Sequence, residues 1–371
     1  MFDGKENKLL LDDTQVDAVD RCCDLKIRIV PVTGAAGTGK TTILQNVFRR
    51  LHKQEHSVVL CAPTGKAAKR ITEATGIPAQ TIHRLLEYPH PGEVDPKTGK
   101  TLLTSDPKKD RRNPIAAKVI LVDEYAMVSV EVHRNLLDAM PPGGVIRMFG
   151  DANQLQPIET NKRLQAEPSS FLKMIEKFDG IRLETIHRQA NDSAIITNGQ
   201  RIIKGECPLR KDDFKLVFSQ SPVDAVISFI MDNLAIDIDF GGTTNQIISP
   251  TKKGWIGTEA LNASITAERQ KWSTIEEQRF YVGDKVIFTV NNYGLDVFNG
   301  ETGIITLFNA DGSITVNFGD KDITIPVAQE MEGRNGTYYF SVKQKKLLYS
   351  YYSRTVACNS YYRSRCIRHE P

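Results

Sequence analysis

The stretch Ile27-Arg28-Ile29-Val30-Pro31-Val32-Thr33-Gly34-Ala35-Ala36-Gly37-Thr38-Gly39-Lys40-Thr41-Thr42 decides the fold. An apolar run, Ile27–Val32, enters a glycine-rich turn, and Ile43, Leu44, Val47, Phe48 and Leu51 then recur at helical spacing. Strand, turn and helix in that order are what a polyphosphate needs. Glycines let successive backbone N–H groups converge on the anion, and the helix N-terminus adds partial positive charge. Gly34, Gly37, Thr38, Gly39 and Thr42 would form the cradle, and Lys40 would reach the β- and γ-phosphates. The Thr41 hydroxyl would hold Mg²⁺. The expected cofactors are therefore ATP and Mg²⁺.

The chain has 371 residues, room for roughly two or three domains. Hydrophobic content of 40% and charged content of 25% are those of a globular protein. Net charge is only +3, so any nucleic-acid surface must be a local groove. The start, Met1-Phe2-Asp3-Gly4-Lys5-Glu6, lacks the apolar core of a signal peptide, and no apolar run nears the ~18 residues of a membrane span. A cytoplasmic protein, of a bacterial cell or a phage-infected one, with no membrane partner is expected. Cys22, Cys23, Cys61, Cys207, Cys358 and Cys366 form no Cys-x-x-Cys and read as reduced thiols.

Along the chain, helix and strand alternate. Helices are expected near 14–23 and over 41–53, 65–75 and 129–139, with strands at 27–32, 57–62, 118–122 and 145–149. Such alternation implies a parallel sheet with its ligands at the carboxyl ends of the strands. Residues 88–115, rich in proline, glycine and charge, interrupt it as a projecting β-hairpin or a surface loop. From 181 a second unit begins, with helices at 193–204 and 222–234 and a strand at 246–249. Short alternating segments at 284–291, 303–308, 313–318 and 322–326, separated by Asn-Gly, Asp-Gly and Gly-Asp turns, read as a small antiparallel barrel.

The polar motifs fall where strands end. Val119–Val122 leads into Asp123-Glu124: Asp123 is placed to hold Mg²⁺, and Glu124 to act as general base on the attacking water. Gly150-Asp151-Ala152-Asn153-Gln154 follows the strand at 145–149, and the Gln154 amide can address a γ-phosphate oxygen and the water together. Ala62-Pro63-Thr64-Gly65-Lys66-Ala67-Ala68 is a small-residue turn entering a basic helix. Pro63, Thr64 and Lys66 suit nucleic-acid phosphates there, with Thr81 and His83 as a second contact. In Leu183-Glu184-Thr185-Ile186-His187-Arg188-Gln189, Arg188 is the candidate for a guanidinium brought onto the γ-phosphate from a second domain. Gln15 lies just upstream of the first strand and could read adenine through its amide.

Taken in order, these segments resemble superfamily 1B DNA helicases of the RecD-like and phage Dda-like group. The likeness runs over roughly residues 8–345 and includes Ile248-Ser249-Pro250-Thr251, Gly257–Asn262, Gly283–Val286, Asn291-Asn292-Tyr293 and Asn299–Gly303. It implies an α/β P-loop NTPase with two RecA-like motor domains, 1–180 and 181–299, closing on ATP. It also implies a strand-separating pin at 88–115 and an SH3-like β insert at 300–345. Single-stranded DNA or a DNA fork would be the partner, with 5′-to-3′ translocation, alongside replication or recombination proteins. One departure stands out. Such helicases return after the insert to a Thr-x-His-Lys-Ser-Gln-Gly-like motif, whereas 346–371 runs through Leu347-Leu348-Tyr349-Ser350-Tyr351-Tyr352 as an atypical tail. The second motor domain is accordingly expected to be incomplete. Two readings stand open: an ATP-dependent helicase or translocase of replication, recombination or repair, and a catalytically impaired ATP- and single-strand-binding module. A P-loop NTPase acting on another substrate is the third, disfavoured by Ala62–Ala68 and the insert.

Overall fold

The computed structural model describes residues 11–89, 106–157, 159, 162–165, 167–185, 193–211, 213–234, 249, 251, 253–271, 282–283, 285–288, 295, 297, 301–319, 321–325 and 342–343. Helix α1 (Asp13–Cys23) begins at a capping box: Asp12 Oδ1 accepts the Gln15 N–H, and Gln15 Oε1 accepts the Asp12 N–H. Reciprocal satisfaction of orphan donors pins that first turn. Strand β1 (Ile29–Gly34) and helix α2 (Lys40–Lys53) flank the glycine turn. β2 (Val58–Ala62), α3 (Gly65–Thr75), the short β3 (Gln80–Thr81) and α4 (Ile82–Leu85) follow. Next come β4 (Val119–Val122), a 3-10 turn at Tyr125–Met127, α5 (Val130–Asp138) and β5 (Val145–Gly150). The unit ends with α6 (Lys162–Gln165), α7 (Ser170–Lys177) and β6 (Ile181–Leu183).

These strands form a parallel sheet in the order β3-β2-β4-β5-β1-β6. β4 and β5 are buried along their whole length, as strands covered on both faces must be. One core packs α1, α2 and α3 on Val30, Val32, Leu60, Val119, Leu121 and Phe149. The other sets Leu85, Leu136, Phe171 and Ile175 against Ile120, Val122, Ile146 and Met148. Burial of alternate residues on opposite faces is the period-2 rule at work.

The chain divides into two compact units, Met1–Gln189 and Ala190–Pro371. The expected boundary at 180 therefore moves. The cause is β6, which pairs Ile181, Arg182 and Leu183 with Val32, Thr33 and Gly34 and completes the first sheet. In the second unit, α8 (Ala194–Ile203), α9 (Pro222–Leu234) and α10 (Thr258–Lys271) precede an antiparallel sheet. Its strands are β7 (Lys285–Phe288), β8 (Thr302–Phe308), β9 (Ile314–Asn317), β10 (Asp322–Ile325) and β11 (Val342–Lys343), in the order β10-β9-β8-β7-β11. Val286, Ile305, Ile314, Val316, Ile323 and Ile325 make its core. β7 pairs with β8, so the segment read at 284–291 contributes a strand to this sheet ahead of the insert implied at 300–345. The helix expected at 193–204 and that at 222–234 are present.

Some expectations lie outside the described residues: 90–105 of the pin, 246–248 of the expected strand, and the tail 346–371. The feet of the pin segment are described. Lys108 N–H donates to Glu87 O and Lys109 N–H to Leu86 O, so the chain leaves and re-enters at one point. Cys22, Cys23 and Cys61 are free thiols as expected. Cys207 departs from that expectation, being disulfide-bonded. No described helix is long and apolar enough to cross a membrane.

Candidate nucleotide-binding site

Parallel pairing in register brings the carboxyl ends of β1, β5 and β4 side by side. The residues that follow those strands are the glycine turn, Asp151 and Asp123. β2 lies next to β4, so Pro63 and Thr64 emerge at the same end of the sheet. Tertiary closure thus collects one set of polar residues along a single edge.

The glycine turn is tightly fitted. A Cβ on Gly34 would lie 2.4 Å from Thr38 Oγ1 and 2.9 Å from Leu183 Cβ, so only glycine leaves room. Gly37 and Gly39 have φ of 88° and 85°, the left-handed region that glycine adopts without strain. Thr38 is buried, and its Oγ1 donates to Ala35 O at 2.9 Å. Lys40 Nζ donates to Gly34 O at 2.6 Å and Ala35 O at 2.9 Å. The ammonium therefore rests on the loop's own carbonyls. Burial lowers its pKa, while the carboxylates of Asp151, Asp123 and Glu124 oppose that shift. Thr41 is exposed and Thr42 half-buried on the first turn of α2.

Asp123 is buried, and its pKa is pushed up to about 6, chiefly by loss of solvent. The neighbouring Glu124 carboxylate adds to the rise, against the Glu124 N–H donated to Asp123 Oδ1 at 2.9 Å and the charge of Lys40. Glu124 adopts φ 52°, ψ 38°, rare for a residue with a side chain. Its Oε2 is buried with no hydrogen-bond partner. Strain and an orphan acceptor on one residue are both costly and cluster at functional sites. Carboxylates outnumbering ammonium groups, with an unsatisfied oxygen among them, fit a divalent cation and an ordered water. Asp123 and Thr41 are the residues that would hold Mg²⁺.

Ala152 N–H donates to Thr33 Oγ1 at 3.0 Å, tying the turn after β5 to the end of β1. Asp151 is buried there, and its Oδ1 accepts the Asn153 N–H at 3.0 Å. Gln154 stands on the same turn with its side chain exposed. Thr64 N-caps α3 by accepting the Ala67 N–H at 3.2 Å, and Thr81 N-caps α4 by accepting the Arg84 N–H at 3.1 Å. Pro63 is half-buried, Lys66 is exposed, and exposed His83 has its ring 4.8 Å from that of Tyr88. Gln15 is buried beneath the loop, its Nε2 donating to Thr38 O at 3.1 Å. Arg188 lies outside the described residues.

Sequence reasoning missed three residues. Asp151 was visible within its motif, but its closeness to Lys40 depends on β1 pairing with β5. Buried Glu159 accepts the Val130 N–H through Oε1 at 2.9 Å, linking the chain beyond Gln154 to the start of α5. Arg147 is fully buried in β5; its signal was an arginine inside the apolar run Val145–Phe149.

Residues 10–217 match the AAA domain family, and residues 258–318 match the ATP-dependent RecD-like DNA helicase SH3 domain. The chain is 30% identical over 306 residues to the ATP-dependent RecD2 DNA helicase of Deinococcus radiodurans, covering 81% of this chain and 39% of that one. It is 25% identical over 309 residues to the RecBCD enzyme subunit RecD of Mycobacterium tuberculosis, covering 75% and 53%. The chain thus spans about half the length, or less, of these curated relatives. Among solved structures, the Pif1 helicase from Bacteroides in complex with ADP-AlF3 and ssDNA aligns at 20% identity with a TM-score of 0.45, covering 85% of this chain and 74% of that one.

Proposed function

This chain belongs to the superfamily 1B helicases, and from that membership we propose that it is an ATP-driven motor on single-stranded DNA, moving 5′-to-3′ in replication, recombination or repair. The observation that carries the reading is the gathering of Lys40, Asp123 and the unsatisfied Glu124 at one sheet edge.

In this reading Lys40 leaves the carbonyls of Gly34 and Ala35 for the β- and γ-phosphates, exchanging two neutral acceptors for charged ones. The N–H groups of Gly37, Thr38, Gly39 and Thr42, with the first turn of α2, cradle the phosphates. Mg²⁺, when bound, would neutralise developing phosphate charge. Thr41 and Asp123 would hold it, and Asp123, already costly to ionise by itself, would stay charged beside it. Glu124 accepts the proton of the attacking water through its orphan oxygen. Gln154 orients that water, and Arg188 is assigned to the γ-phosphate. Pro63, Thr64, Lys66, Thr81 and His83 are assigned to DNA; the two capping threonines still have hydroxyl hydrogens to donate to a phosphate. A cytoplasmic setting and replication or recombination partners belong to the same proposal.

The test is ATP hydrolysis with and without single-stranded DNA, and unwinding of forks bearing a 5′ or a 3′ tail. DNA-stimulated turnover lost in Lys40→Ala, with unwinding only from the 5′ tail, supports the reading. Nucleotide-sensitive DNA binding without turnover leaves an impaired binding module, and hydrolysis indifferent to DNA removes the motor reading.

A further inference from the structure

Arg147 occupies a place in β5 that an apolar side chain would fill. It is fully buried, and its guanidinium meets backbone carbonyls. Nε donates to Cys22 O at 2.6 Å, and Nη2 to Asp24 O at 3.0 Å. Nη1 donates to Ile27 O at 2.9 Å, Ile146 O at 3.1 Å and Arg28 O at 3.4 Å. A charge withdrawn from water is costly unless its donors are met. Here the acceptors include carbonyls at the C-terminal end of α1, where the helix dipole favours a cation.

The other end of α1 carries Gln15. Its Oε1 accepts from the Asp12 N–H at 3.2 Å, and its Nε2 donates to the Thr38 carbonyl at 3.1 Å. Partners of opposite kind determine which end of the amide is which. The contact is close: a Cβ on Gly39 would sit 2.4 Å from Gln15 Nε2. Glycines on both sides of Thr38 leave the loop peptides little resistance to flipping. In a trans peptide the C=O and N–H point opposite ways, so a Thr38 carbonyl held toward α1 turns the Gly39 N–H away from it.

We propose that α1 is a brace for the phosphate loop: Arg147 clamps its C-terminal end, and Gln15, as a positioning residue, locks the Thr38–Gly39 peptide with its N–H facing the triphosphate. The brace rests on the nucleotide-site reading above. It differs from a role for Gln15 in reading adenine, because a locked loop serves any triphosphate whatever its base.

Binding of ATP, GTP and inorganic tripolyphosphate to the full chain, measured by calorimetry, tests it. Gln15→Glu keeps an acceptor for the Asp12 N–H but removes the donor to Thr38; Gln15→Met removes the donor without adding charge. Both are expected to weaken all three ligands roughly tenfold, the worth of one good hydrogen bond. A loss confined to ATP overturns the lock in favour of a base contact, and unchanged affinities overturn it outright. Arg147→Met is expected to give a loss of similar size that does not add to that of Gln15→Met. Should that variant not fold, Arg147→Lys replaces it, since one ammonium cannot meet the same set of carbonyls. A folded Arg147 variant with wild-type affinity, or with fully additive loss, overturns the clamp. If the unmodified chain binds none of the three ligands, the nucleotide reading itself fails and takes the brace with it.

Discussion

Asp123 Oδ1 accepts the backbone N–H of Glu124 at 2.9 Å, while Glu124, held at φ 52°, keeps an Oε2 that no hydrogen bond satisfies. Adjacent carboxylates thus differ in hydrogen bonding through backbone geometry. The aspartate is tied into the strand end, and the glutamate is turned out of line with one carboxylate oxygen left as an open acceptor.

Glu124→Gln should therefore separate binding from chemistry. The amide keeps the size and the left-handed backbone but cannot take a proton. ATP affinity should stay within a few-fold, and turnover should fall by about 10²–10⁴. Single-turnover hydrolysis beside equilibrium nucleotide binding measures both, and a rate within tenfold of wild type would place the base elsewhere.

Gly39→Ala meets two obstacles, φ of 85° and the Gln15 amide. It should cost roughly 1–3 kcal/mol of stability and at least ~10-fold in ATP affinity. Gly76→Ala is its control: φ is 69° there, but nothing lies within 4 Å of the added Cβ. That variant should lose about 1 kcal/mol and bind ATP normally. Urea melts and nucleotide titrations on both variants decide the matter.

His133 predicts a pH dependence. Its Nδ1 lies 2.8 Å from the hydroxyl of buried Tyr125, and burial lowers its pKa from 6.5 to about 4. The unfolded chain takes up the proton first as pH falls, so the stability held by neutral His133 is full above about 6.5 and lost toward 4. Roughly 3 kcal/mol is at stake across that window. His133→Gln should flatten the stability profile between pH 7 and 4, and parallel profiles for the two proteins would refute the assignment.

Gly303→Ala addresses the second unit alone. A Cβ there would lie 2.5 Å from Val316 Cγ1 and 2.7 Å from Asn317 O, between paired strands. Overpacking of this kind costs roughly 1–3 kcal/mol. The antiparallel sheet should melt earlier with nucleotide affinity unchanged, which calorimetric scans with titrations would show; a normal melt would mean that the strands part easily there.

Much of the first unit was legible because its signals are local. Apolar runs bounded by turns placed β2, β4 and β5 within a residue or so, and the helices expected near 14–23 and at 65–75 and 129–139 begin within a residue of α1, α3 and α5. β6 escaped because Ile181-Arg182-Leu183 is too short to carry a period and becomes a strand only beside β1. β3, at Gln80–Thr81, escaped for the same reason.

The sequence by itself determined that a phosphate-binding strand, turn and helix exist, and which polar residues follow each strand, since spacing, glycine and capping act over a few residues. Tertiary structure alone decided how they meet. Gln15 reaches Thr38 across 23 residues, and Arg147 reaches Cys22 across 125. Whether a buried arginine is affordable, or a glutamine faces a loop carbonyl, depends on donors and acceptors that come within 3 Å or so only once the sheet has closed.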